Sequence, residues 1–173
     1  SAIGVSASLT LLDLGANIEC DSGNLVQFAV MGQIFARLVL NLKRPTVGLL
    51  NVGSEEQKGH EELREASAIL RQIDLPMEFI GFVEGDDITA GTVDVIVTDG
   101  FSGNIALKAA EGTSRMFTFF LKEAFGSSIY SKIGYVLSKT AINQVRERMD
   151  PRKYNGAVCL GLNGIAVKSH GST

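Results

Sequence analysis

Cysteine and histidine are scarce in these 173 residues, with two of each, and neither a C-x-x-C nor an H-x-x-x-H spacing occurs, so zinc has no obvious ligand set. Cys20 and Cys159 stand far apart, the usage of a reduced, cytosolic protein with small buried thiols. A strong excess of one charge is missing too: charged residues make up 20% and the formal net charge is −3, which gives no electrostatic footprint for a nucleic acid. No apolar run is long enough to span a bilayer, and no leader-type segment is visible. No Gly-x-Gly-x-x-Gly follows a strand-like run, which disfavours a nicotinamide cofactor; no other cofactor and no metal are expected. Internal repeats and low-complexity segments are absent. What is present, 45% hydrophobic residues in a chain of single-domain length, is enough to bury a core. The small, apolar and hydroxylated start, Ser1 to Thr10, and the glycine-rich end predict a piece cut at both ends.

The richest stretch is Thr98-Asp99-Gly100-Phe101-Ser102-Gly103-Asn104, which joins the strand-like run Val93 to Val97 to a helix-like run expected to begin near Ile105. Two glycines let a ligand approach the backbone, Ser102 and Asn104 add side-chain hydrogen bonds, and the first amides of a helix carry free N–H groups that suit an anion, phosphate above all. A tight strand-to-helix turn with Asn104 as N-cap fits the local sequence equally well.

The rest of the chain alternates strand and helix, the signature of an α/β protein with a parallel sheet and helices on its faces. Strands are predicted at about Leu9 to Leu14, Thr46 to Asn51, Met77 to Val83 and Val93 to Thr98. Leu25 to Leu40 is apolar around most of its circumference and is expected to be deeply buried between the sheet and a partner. Glu61 to Ile73 carries Leu63, Ala66, Leu70 and Ile73 on one stripe and predicts a half-exposed helix. Because ligands of open α/β sheets bind beyond the carboxyl ends of the strands, Asp13 to Asn17, Asn51 to Gly53 and Thr98 to Asn104 are expected to line one cleft. The whole chain, 1–173, reads as one α/β domain.

Residues 112–150 leave this rhythm and predict a helical hairpin excursion. Phe125, Ile129, Tyr130 and Ile133 surround its turn at Gly126-Ser127-Ser128, with Lys122, Lys132 and Lys139 nearby. Such a tip suits a membrane surface. A dimer contact or ordinary core packing is the commoner use of an aromatic stripe at helical spacing and takes precedence here.

Several motifs together resemble one family: Leu11 to Asn17, Gly48 to Gly53 with Lys58-Gly59, Thr98 to Asn104 with Lys108 and Glu111-Gly112, Asn155-Gly156-Ala157, Gly161 to Gly164, and Lys168-Ser169-His170-Gly171-Ser172. In order and spacing they are similar to the bacterial phosphate acyltransferase of phospholipid synthesis, over essentially the whole chain, although members of that family are longer, with an N-terminal sheet segment and a C-terminal helix. Phe82, where many relatives have Asn, and Val158-Cys159 depart from the pattern. The resemblance implies a three-layer, Rossmann-like, mostly parallel sheet similar to the isocitrate and isopropylmalate dehydrogenases. It also implies transfer of a long acyl group from acyl carrier protein to inorganic phosphate, giving acyl phosphate for the membrane glycerol-3-phosphate acyltransferase. The expected setting is a cytoplasmic homodimer, peripherally attached to membrane at most, with no nucleic-acid partner. Two readings stay open beside it: a phosphate acetyltransferase-like enzyme with a short acyl-CoA, and a non-catalytic acyl- or membrane-binding module.

Phosphate is itself the nucleophile in such a reaction, so no Ser or Cys nucleophile is required; a phosphate cradle, donors for the oxyanion and a proton for the departing thiolate suffice. Gly100, Ser102, Gly103 and Asn104 are the expected phosphate ligands, Lys168 the added positive charge and His170 the proton donor. His170 also fits an exposed or capping residue, and His60 reads as a solvated helix start. Asp13, Asn17, Asn51, Asp99 and Lys108 are expected to organise loops. A carboxylate aimed at phosphate would repel it unless paired.

Overall fold

The computed structural model describes residues 9–149, 157–161 and 166–168. The chain divides into two compact units, one of residues 1–106 and 156–173 and the other of 107–155. The first unit is built on four short strands, β1 (Thr10–Leu12), β2 (Thr46–Leu50), β3 (Glu78–Val83) and β4 (Val95–Val97), all parallel and ordered β1-β4-β2-β3. Strand β4 is central, with Ile96 opposite Leu11 on one side and Gly48 on the other.

Alternation along these strands sorts their side chains to two faces. Leu12, Val47, Leu49, Val95 and Val97 meet α1 (Ser22–Val39) and α2 (Glu61–Leu70) in one apolar cluster. Leu11, Val83 and Ile96 meet Ile88 of the short α3 (Asp87–Ala90) and Ala106 of α4 (Gly100–Gly126) in another. Helix, sheet and helix thus form the three layers expected, an α/β Rossmann-like arrangement with a wholly parallel central sheet. An antiparallel pair, β5 (Ala157–Cys159) and β6 (Ala166–Lys168), completes the described part of this unit.

Helix α1 starts at a capping box in which the Asp21 carboxylate accepts from the Asn24 N–H at 2.7 Å and the Asn24 side chain accepts from the Asp21 N–H at 3.2 Å. Gly32 lets it lie close to the sheet, since a Cβ there would stand 2.6 Å from the Val95 side chain. The expectation that α1 is buried between the sheet and a partner is met on its sheet side. Leu25, Phe28, Ala29 and Ala36 are buried against the sheet, whereas Leu38 on the outer side is 79% exposed, because one sheet covers only one side of a helix. Helix α2 ends at Leu70 instead of Ile73, ahead of Pro76, and His60 is its N-cap residue with no capping hydrogen bond from its side chain. Phe82 belongs to the core cluster under α1 and α2.

In the second unit the later turns of α4 and α5 (Ile129–Met149) are joined at Ser127-Ser128, where the Ser128 hydroxyl accepts from the Ser131 N–H at 3.0 Å. The expected excursion over 112–150 lies within this unit. Phe125 and Tyr135 meet edge to face with ring centroids 5.4 Å apart. Ile129, Tyr130 and Ile133 stand exposed around the turn, so core packing within this chain does not account for them. No helix among the described residues is long and apolar enough to cross a membrane.

Candidate functional site

The connection after β1 leads into α1 on one face of the sheet, and the connection after the adjacent β4 leads into α4, whose Ala106 packs on the other. Neighbouring strands whose connections part to opposite faces open a crevice at their carboxyl ends, the usual place for a ligand in this architecture. The loop 13–17 and the stretch 98–104 meet there, and the loop after β2 leaves from the same edge.

Each of the two segments is braced by its own carboxylate. Asp13 accepts from the Ala16 N–H at 2.9 Å, the Asn17 N–H at 2.8 Å and the Asn17 side-chain amide at 2.8 Å, folding the loop into a tight turn. Asp99 accepts from the Ser102 N–H at 2.7 Å and the Ser102 hydroxyl at 2.8 Å, and the Gly103 N–H donates to the Asp99 carbonyl at 3.0 Å. That is N-cap geometry, so the cap is Asp99 and not Asn104, and the helix starts at Gly100 instead of near Ile105. The Gly100 N–H donates across to the Asn17 carbonyl at 2.7 Å, tying the two segments together.

Both glycines are needed for this approach. A Cβ at Gly100 would stand 2.5 Å from the Asn17 carbonyl oxygen, and one at Gly103 would overlap that of Asp13. Gly15 has φ +105, and the Asn104 side chain lies over it. In the next loop, Asn51 donates to the Lys58 carbonyl at 3.0 Å and accepts from the Val52 N–H at 2.9 Å. Lys58 is paired with Glu55 at 2.9 Å, and both are well exposed. Lys108, in the second unit, pairs with Glu111 at 3.1 Å along α4.

The expectation of free backbone donors at Gly100, Ser102 and Gly103 is therefore corrected: all three amides donate within the chain, and so does the Ser102 hydroxyl. Among the described residues, the donors of this first turn left without a partner are the Phe101 N–H and the exposed Asn104 side chain. The same bonds change the electrostatics. Asp13 and Asp99 direct their oxygens at donors of their own loops, which offsets the repulsion that bare carboxylates would exert on an anion.

Cys20, read from the sequence as a small buried thiol, stands half-buried at this junction, its Sγ 3.5 Å from the Asn17 carbonyl. Burial raises its pKa, the Gly100 backbone hydrogen bond opposes the rise, and the Asp13, Asp99 and Asp21 carboxylates add to it, so the protonated thiol is favoured. Lys168 ends β6 opposite Ala157, and its side chain and His170 lie outside the described residues. Among the described residues no cluster of His, Cys, Asp and Glu suits a metal ion.

The family described as fatty acid synthesis protein matches residues 3–173. A phosphate acyltransferase of Paramagnetospirillum magneticum is 60% identical over 169 residues, covering 98% of this chain and 48% of that protein. One from Rhodospirillum centenum is 64% identical over 163 residues, covering 94% of this chain and 46% of that protein. One from Agrobacterium fabrum is 60% identical over 164 residues, again covering 94% and 46%. The chain thus spans about half the length of the relatives it matches. With a match that runs through the β1 loop and the capped start of α4 alike, the chain belongs to the fatty acid synthesis protein family, beside proteins named phosphate acyltransferase.

Proposed function

We propose that this chain carries the phosphate site of an acyltransferase that moves a long-chain acyl group from acyl carrier protein to inorganic phosphate. The observation that carries the reading is the locked junction of the 13–17 loop with the start of α4, at the crevice where β1 and β4 part, in a chain about 60% identical to proteins named phosphate acyltransferase. A phosphate oxygen attacks the thioester carbonyl carbon, the C–S bond breaks, and the departing sulfur takes a proton. The Asn104 amide and the Phe101 N–H hold the phosphate, on a backbone already fixed by Asp13, Asn17 and Asp99, so little ordering remains to be done on binding. Gly100, Ser102 and Gly103 serve the same site from behind, as the scaffold of the turn. Lys168 supplies positive charge and His170 the proton.

Phosphate-dependent formation of acyl phosphate from long-chain acyl carrier protein by the intact protein, trapped with hydroxylamine, tests the reading; no product from that donor or from acetyl-CoA would leave a binding module in its place. In the same assay Asn104→Ala is expected to raise the KM for phosphate about tenfold, ~1.4 kcal/mol. Ser102→Ala, whose hydroxyl is given to Asp99, is expected to move that KM less and to destabilise the helix start by about 1 kcal/mol. An unchanged phosphate dependence in both would remove the cradle.

The same proposal takes the protein to act as a homodimer in the cytoplasm, handing acyl phosphate to a glycerol-3-phosphate acyltransferase, with the α4–α5 tip as a contact surface. Phe125, Ile129, Tyr130 and Ile133 are its residues, Tyr130 being 86% exposed. Ile129→Glu with Ile133→Glu is expected to split the dimer in sedimentation experiments. A dimer left intact, with liposome binding abolished, would assign the tip to lipid instead.

A further inference from the structure

We infer that Lys58 is a phosphate ligand, a lysine held at the strand ends that exchanges its Glu55 partner for the incoming anion, an inference that rests on the phosphate reading above. Strand β2 pairs with β4 with Leu49 opposite Val97, so two residues on, Asn51 leaves β2 beside the Asp99 that caps α4. The Asn51 amide donates to the Lys58 carbonyl at 3.0 Å, which seats the Lys58 backbone against the end of β2. Three residues converge on the placement of this one side chain. Asn51, 9% exposed, accepts from the Val52 N–H with its remaining polar atom. Gly59 takes φ +89, and a Cβ there would overlap the Asn51 Oδ1. A Cβ at Gly53 would stand 2.5 Å from the Lys58 Cδ, so glycine keeps open the path of the lysine stem across the loop.

The fold gains little from that placement. Lys58 and Glu55 meet at 2.9 Å with side chains 51% and 61% exposed, and an ion pair so open to water adds little to stability. Charge gives the lysine its use. Among the described residues, Lys58 is the sole Lys or Arg in the connections that follow the four parallel strands, 13–21, 51–60, 84–86 and 98–99. Carboxylates crowd the same loops: Asp13, Asp99, Glu55, and Glu84, which accepts from the Ser54 N–H at 3.1 Å. Their hydrogen bonds soften but do not cancel their charge, so an anion reaching these strand ends needs a cation to meet it. The hydrogen bond from Glu55 raises the Lys58 pKa, with the Glu55 and Glu84 charges adding to the rise, so the ammonium stays charged throughout the neutral range. An ammonium on a flexible four-carbon stem turns from one oxyanion to another without rebuilding a planar fork. Inorganic phosphate, carrying more charge than one carboxylate, displaces Glu55.

The test is calorimetric binding of inorganic phosphate to the intact protein and to Lys58→Gln, Lys58→Arg and Glu55→Gln, with thermal melting alongside and KM values from the acyl-phosphate assay. Lys58→Gln is expected to weaken phosphate binding about tenfold, and Lys58→Arg to keep most of the affinity. Glu55→Gln is expected to tighten binding by about two- to threefold, because it removes the competing carboxylate. The opposite signs separate the proposal from a bridge that merely shapes the loop, where loss of either partner would weaken phosphate binding alike. KM for the acyl donor is expected to stay unchanged in all three variants. If Lys58→Gln melts far below the parent, Glu55→Gln and Lys58→Arg carry the test. Unchanged phosphate binding in Lys58→Gln, or weaker binding in Glu55→Gln, would overturn the assignment. So would a raised KM for the acyl donor with phosphate binding intact, since the lysine would then serve the donor. The expected pattern of phosphate binding in a protein that makes no acyl phosphate would support Lys58 while sinking the transfer reading, which keeps the two failures apart.

Discussion

Gly103→Ala is expected to lower the unfolding free energy by about 3 kcal/mol and to weaken phosphate binding in step, although alanine is the better helix former by about 1 kcal/mol. The sign is decided by what the added carbon meets. A Cβ at 103 would overlap the Asp13 carbonyl oxygen and stand 2.8 Å from the Thr98 methyl. The carbonyl has no room to retreat, because the Asp13 N–H donates to the Thr98 carbonyl at 2.9 Å and the Asp13 carboxylate holds Ala16 and Asn17. Either the helix start or the 13–17 loop must move, and with it the Gly100 to Asn17 bond. Gly112, farther along α4, is the control, since a Cβ added there would meet nothing within 4 Å. Gly112→Ala is expected to stabilise by up to about 1 kcal/mol. Urea unfolding of the two variants reads the contrast, and equal midpoints would mean that the close contact at Gly103 does not exist.

Ile96→Ala is expected to cost still more, about 3 to 4 kcal/mol. Ile96 is 0% exposed in the central strand and packs with Leu11, Val83 and Ile88 on the α3 side of the sheet. Its neighbour in β2 is Gly48, which has no side chain to swing into the space, and a Cβ at Gly48 would already meet Val83 at 2.6 Å. The cavity therefore stays open, which is the condition under which large-to-small changes are most destabilising. Ile80 is the same residue type on the edge strand β3 and is 42% exposed, so Ile80→Ala is expected to cost under about 1 kcal/mol. Similar losses at both positions in urea unfolding would contradict the assignment of β4 to the centre of the sheet.

The sequence by itself determined the four parallel strands, the main helices and the loops in which the proposed site lies. Alternating apolar runs such as Val93 to Val97 announce strands, the stripe through Leu63, Ala66 and Leu70 announces α2, and Asp13, Asn17, Asp99 and the glycines at 100 and 103 mark where two strands end. These are local properties, carried by period and residue type within a few positions. What only the tertiary structure decided is which of the marked groups still has a hydrogen bond to give. Ser102 and the three amides around it looked free because their acceptors are invisible in a local window: Asp99 turns back on the helix it precedes, and the Asn17 carbonyl reaches Gly100 only after β1 and β4 lie side by side. The same holds for α1, whose apolar circumference predicted burial all round, while a single sheet face covered only the side that carries Leu25, Phe28, Gly32 and Ala36. Periodicity reports the faces of an element, but a donor is committed, or a face covered, by whatever the fold brings opposite it.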